Sequence, residues 1–163
     1  MSAGAYRRAM RNWPSGVSIV TTSVAGEMHG MTASAFTSVS VSPPMVLVVA
    51  DKAGRTGRLI EQAASFCVNI LAEDQVELSD RFSGRTGDPE RRFSGLITFA
   101  AATGAPVLAS SVAYIDCELD EAHDAGDHTI YLGRVVGCGV QREAAPLAYH
   151  DGVYARITHL DGD

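Results

Sequence analysis

The stretch VAYIDCELDEAHDAGDHTIYLGRVVGCGV, residues 112–140, already contains the plan of the fold. Along its first part Ala113, Ile115, Cys117 and Leu119 point one way, while Asp116, Glu118 and Asp120 point the other. Strict alternation of this kind predicts a strand with one wet face. HDAGDH then turns the chain into a second long β-rich run, Thr129–Val140. Gly133, Gly137 and Gly139 within that run mark bulges or close packing.

Working outward, the same chemistry recurs. Val17–Thr22 (VSIVTT), Met45–Ala50 (MVLVVA) and Phe66–Leu71 (FCVNIL) read as strands. Glu27–Val41 reads as a strand pair or one long bent strand, and Gln141–Pro146 turns into a last strand near Tyr149–Ile157. Helical spacing is confined to short pieces. Tyr6, Ala9, Met10 and Trp13 share one face before Pro14 stops the helix, and Arg58–Ala64 forms another. Asp74 with Glu77 reads as a capping box opening a helix that runs to about Phe82. Six or seven strands, two or three short helices and no βαβ alternation predict a mainly β protein, an antiparallel barrel with peripheral helices.

Composition narrows the function classes. The chain has 163 residues, 46% of them apolar, which suits one globular domain over residues 1–163. Thirteen Lys and Arg against nineteen Asp and Glu leave a formal charge of −6, so nucleic acid is not an expected partner. Arg7, Arg8 and Arg11 have the spacing of a solvated helix face. No window has the apolar length of a membrane span, and MSAGAYRRAM lacks the apolar core of a signal peptide. Cys67, Cys117 and Cys138 are too widely spaced for a zinc pattern or a disulfide framework. They are expected to be buried free thiols in a reduced, cytoplasmic protein.

Several chemistries find no support. Neither a phosphate loop of the Gly-x-x-x-x-Gly-Lys type nor a dinucleotide Gly-x-Gly-x-x-Gly after a strand is present, and no serine is framed as Gly-x-Ser-x-Gly. His123 and His128 flank Asp124 and Asp127, but nothing supplies a further ligand, so no metal is expected. A short echo, RFSG at Arg81–Gly84 and again at Arg92–Gly95, has no longer period around it and reads as chance.

GMTASAFTSVSVSPP, Gly30–Pro44, remains. Thr32, Ser34, Thr37, Ser38, Ser40 and Ser42 place hydroxyls on both faces, unlike a half-exposed strand. With Ala33 and Ala35 between them, a flat ligand can approach the backbone and bond its N–H groups. Lys52, Arg55 and Thr56, just before the next helix, offer cations, a hydroxyl and helix N-terminal amides to an anion.

With its flanking blocks the segment resembles the short-chain NAD(P)H:flavin oxidoreductases, the reductase components of two-component monooxygenases. WPSGVSIVTT (13–22), GMTASAFTSVSVSPPMVLV (30–48), DKAGRT (51–56), FCVNIL (66–71), LSDRF (78–82), YIDCEL (114–119), AGDHTIYLGRV (125–135) and PLAYHDGVY (146–154) follow in family order. The resemblance implies an FMN-binding split β-barrel of Greek-key type. It also implies a homodimer with flavin near the subunit interface, FMN or FAD as flavin, and NADH or NADPH as hydride donor. It gives Thr32, Ala33 and Ser34 to the isoalloxazine, Ser38 and Ser40 to the ribityl chain, and Lys52, Arg55 and Thr56 to the phosphate. His128, in the family's GDH motif, would lie beside flavin and nicotinamide as the catalytic candidate. Tyr154 would approach the nicotinamide, and Phe82 with the Ser83–Phe93 loop would sit at the cleft mouth, where Gly84, Gly87 and Pro89 suit a cover. Reduced flavin would pass to a separate monooxygenase. The alternatives are a flavin-dependent reductase of a corrinoid, ferric or deazaflavin acceptor, and a non-catalytic flavin-binding protein.

Overall fold

The computed structural model describes residues 1–86, 88 and 91–160, so Gly87 and Pro89 of the expected cover lie outside the described residues. The long hairpin forms as the alternation predicts. Strand β9 (Ala113–Ala125) pairs antiparallel with β10 (His128–Val140), and register shifts fall next to Gly133 and Gly137. A Cβ at Gly133 would stand 2.4 Å from the Phe66 ring, so close packing requires the glycine there.

Five more strands complete a seven-stranded sheet: β2 (Ser18–Val24), β3 (Glu27–Ala33), β4 (Phe36–Val41), β5 (Pro44–Asp51) and β6 (Ser65–Ile70). Their spatial order is β3-β2-β6-β9-β10-β5-β4, antiparallel throughout. The two edge strands are therefore neighbours in sequence, joined only by Ser34 and Ala35. A link of two residues spans only about 10 Å, so the sheet must curl until its edges meet. The Val49 N–H donates to the Ala35 carbonyl at 3.0 Å, which carries the β4–β5 pairing into that link.

The interior is apolar: Val20, Val46, Val48, Phe66, Val68 and Tyr131 are buried, with helix α2 (Arg55–Ala63) contributing Ile60. A second cluster joins Val17, Ile19, Leu71, Phe82, Leu108 and Leu147 beneath helix α3 (Val76–Ser83). Helix α1 (Ala3–Met10) opens on a Ser2 side chain that accepts from the Ala5 N–H. The expected last strand is two short ones, β11 (Ala148–His150) and β12 (Val153–Ala155), which form a small sheet with β1 (Ser15–Gly16). Asp151 and Gly152 divide them with φ of 50° and 84°.

Four expectations are corrected. Asp116 does not face water, because a small hairpin of β7 (Thr98–Ala100) and β8 (Pro106–Leu108) covers that side of β9. The buried carboxylate accepts from the Thr103 amide at 2.8 Å and from its hydroxyl. Asp74 does not cap α3: the N-cap position is Gln75, without a side-chain cap bond, while Asp74 pairs with Arg142. Cys67 and Cys117 are buried, burial pushing the Cys117 thiol up to about 12, but Cys138 is exposed. Finally, α1 ends at Met10, so Trp13 lies beyond the helix; α1 buries no residue, and Tyr6, Met10 and Trp13 are exposed.

Candidate active site

A cleft of about 840 Å³ runs along the free edge of β3. One side is β3 from Glu27 to Thr32, and one end is the turn Asp51–Gly54 with Arg55 and Thr56 of α2. The other wall is Phe82 and Ser83 of α3 with Arg92 and Phe93.

Backbone polarity follows from the sheet order. Since β3 pairs only with β2, every second residue turns its N–H and C=O to the open side. Gly30 is one of these, because its carbonyl accepts from Arg92 Nη1 at 3.0 Å. Two residues on, Thr32 presents its backbone to the same edge. The Thr32 hydroxyl donates to the Ser79 carbonyl at 2.6 Å, which ties this edge to α3. A side chain at Gly30 is excluded, since its Cβ would stand 2.8 Å from the Phe82 ring. Phe82 in turn meets Phe93 edge-to-face at 5.0 Å.

The other end of the cleft is electropositive. Helix α2 has Gly54 at its N-cap, no side-chain capping bond and no acid in its first turn, so its leading amides are uncapped. Arg55 is exposed there and, among the described residues, forms no ion pair. Thr56 is buried behind it. His29, whose side chain is 15% exposed, lies across from Arg55, with Glu27 at 3.9 Å. Burial and the Arg55 charge hold its imidazole below its usual pKa, with partial opposition from Glu27.

The expected residues divide. Thr32, Arg55, Thr56 and Phe82 line one cleft. Ala33 is buried, its carbonyl accepting from the Ser18 hydroxyl at 3.0 Å, and Ser34 is exposed at the link between the edges. Ser38 and Ser40 lie on β4 at the opposite sheet edge, on either side of a register shift. Lys52 stands outside the cleft wall, held by Asp124 at 3.1 Å. His128 opens β10 directly across from Asp51, which lines the cleft, and its Nδ1 lies 2.7 Å from Asp127. That contact holds the Asp127 carboxyl below the usual range. His123 meets Glu121 instead, so the two turn histidines engage different carboxylates.

Tyr154 stands behind the α3 wall. Its hydroxyl donates to Asp80 Oδ1 at 2.7 Å and lies 2.9 Å from Ser79 Oγ. Burial is the main cause that keeps this phenol above its usual pKa. Sequence reasoning overlooked His29, and reached Arg92 and Phe93 only as part of the Ser83–Phe93 loop expected at the cleft mouth. The signal for the last two was present in the RFSG echo, because both copies meet here. Phe82 packs on Phe93, and Arg81 Nη1 donates to the carbonyls of Arg92 and Ser94.

The donor set fits a flavin nucleotide: an open strand edge for the polar rim of a flat ring, and a guanidinium with uncapped amides for a phosphate. Known proteins agree. The chain is 38% identical over 152 residues to the reductase subunit HsaB of a flavin-dependent monooxygenase from Rhodococcus jostii, covering 93% of this chain and 76% of that one. It is 37% identical over 150 residues to a flavin reductase of Pseudomonas putida, covering 91% and 86%. The solved structure of the flavin reductase HpaC complexed with NADP+ superposes with a TM-score of 0.86 at 32% identity, covering 96% of this chain and 98% of that one. Residues 10–158 match the flavin reductase like domain, and the chain belongs to that family.

Proposed function

We propose that the chain is an NAD(P)H-dependent flavin reductase that takes hydride from NADH or NADPH to FMN or FAD and releases reduced flavin to a separate monooxygenase. The observation that carries this reading is the continuity of one cleft from the open edge at Thr32 to the unpaired Arg55 at the α2 N-terminus. The family assignment and the HpaC complex with NADP+ support the nicotinamide as donor.

Bound flavin supplies the hydride acceptor, and the nicotinamide supplies the hydride. The chain's work is positioning and electrostatics. The Thr32 N–H, with the backbone of Ala33 and Ser34, would hold the polar rim of the ring and would favour negative charge on it. Arg55, Thr56 and the first-turn amides of α2 anchor the phosphate. The Phe82–Phe93 pair excludes water from one wall. His128 orients the nicotinamide from beside Asp51, and its contact with Asp127 fixes the ring. Tyr154 supports the α3 wall through Asp80. Lys52 acts at longer range, already satisfied by Asp124.

The curled seven-stranded sheet supports a Greek-key split barrel as a single domain, and the exposed apolar residues support a homodimer. Tyr6, Met10 and Trp13 near α1, and Val39, Val41, Val136 and Val140 on β4 and β10, are uncovered in one chain. Among the described residues no helix is long and apolar enough to cross a membrane, in keeping with a cytoplasmic enzyme. The test is direct. Purified protein is mixed with NADH or NADPH and FMN or FAD while nicotinamide absorbance is followed. Oxidation that requires added flavin is expected, and Arg55→Ala should raise the flavin KM about ten-fold or more. Absence of turnover with every pair would overturn the reading.

A further inference from the structure

The phosphate end of the cleft contains a group with no role so far. His29 is neither core nor solvated surface. Its side chain is 15% exposed, it lines the cleft, and its nearest charged partner is Glu27 at 3.9 Å. The backbone of β3 fixes it in register with Thr22, whose hydroxyl is spent on the Ser65 carbonyl and does not reach the imidazole. Lys52, three residues before Arg55, is turned away onto Asp124. An anion placed against Arg55 and the amides of α2 therefore has His29 as its neighbour on the opposite wall.

We propose that His29 is a phosphate-binding residue, its ring N–H joining the Arg55 guanidinium and the α2 amides on the phosphate of the bound flavin. The assignment rests on the flavin reading of the cleft. Four charged groups share the cleft with the ring: Glu27 on its own strand and Arg55 on α2, both acting on it, and Asp51 at the end of β5 and Arg92 beyond α3. Asp51 is partly occupied, because its Oδ1 accepts from the Ala53 N–H at 2.8 Å. Without ligand, burial and Arg55 keep the imidazole neutral at pH 7. A phosphate dianion offsets the Arg55 charge and adds an opposite charge of its own, so the ring gains a proton as the ligand arrives. Flavin phosphate binding is then coupled to proton uptake near neutral pH.

FMN and riboflavin, which differ by the phosphate alone, separate this role from ring binding. Dissociation constants for both are measured by titration calorimetry at pH 7 in two buffers of different ionisation heat. Wild type is expected to prefer FMN and to take up part of a proton with FMN but not with riboflavin. His29→Leu should weaken FMN about ten-fold, leave riboflavin within about two-fold, and abolish the uptake. If that variant fails to fold, His29→Gln, which keeps a donor but cannot be protonated, should lose the uptake with a smaller loss of affinity. An unchanged FMN-to-riboflavin ratio together with unchanged proton uptake in a folded variant overturns the assignment while leaving the flavin site standing. Wild type that binds neither flavin overturns both.

Discussion

The two edges of the large sheet start from similar sequence and end as different surfaces. Strands β3 and β4 belong to one hydroxyl-rich stretch and are separated by two residues. Yet β3 is walled in by α3, Phe93 and Arg92, while β4 displays Val39 and Val41 to solvent. The difference lies in what covers each edge. Gly30 admits Phe82 at a distance that no side chain would tolerate, and its carbonyl binds Arg92. On β4 a register shift between Ser38 and Ser40 interrupts the pairing with β5. Composition makes both edges look fit for a ligand, and packing lays the described cleft along β3.

Five variants set the two edges against each other. Gly30→Val, which drives a side chain into Phe82, has the largest expected effect: about 1–3 kcal/mol of stability and most of the flavin-dependent nicotinamide oxidation. Thermal melting and the absorbance assay measure these. Next is Thr32→Val, which removes the hydroxyl that ties β3 to the Ser79 carbonyl of α3 and should cost about 1 kcal/mol in a denaturant titration. Its counterpart Thr37→Val, whose hydroxyl makes only a 3.4 Å contact in solvent, should stay within about 0.5 kcal/mol. Equal costs at the two positions would erase the distinction between the edges. For the proposed homodimer, with exposed Val41 in its interface, Val41→Asp should leave the melting of the single chain nearly unchanged but shift light scattering from dimer to monomer. Smallest is the joint change of Ser38 and Ser40 to Ala, expected to alter the riboflavin dissociation constant by less than about two-fold. A ten-fold change would bring β4 into the site and restore the ribityl role implied by the family pattern.

Much of the architecture was legible because it depends on local periodicity. The β9–β10 hairpin, the buried strands and the short helices follow from alternation, branching and turn residues. What failed depends on which element lies on top. Asp116 has the pattern of a wet position and is covered by a hairpin from another part of the chain. Asp74 has capping spacing, but Arg142, far away in sequence, claims the carboxylate. The apolar face of α1 was correctly patterned, though within one chain nothing buries it. In the site, Arg55 and Thr56 were accessible to charge reasoning, since cations before a helix suggest an anion whatever the fold. His29 was hidden because a histidine in an alternating strand carries no sign of the cleft beside it.

The RFSG echo has a consequence in polymer terms. Arg81–Gly84 and Arg92–Gly95 are clamped together by the Phe82–Phe93 contact and the Arg81 hydrogen bonds, so the chain between them is a loop whose ends are already joined. Doubling the length of such a loop costs only about 0.6 kcal/mol in closure entropy. The sequence between the two copies can therefore change in length with little demand on the fold below. Evolution, or an engineer, can vary it while Gly30, Thr32 and Arg55 stay in place.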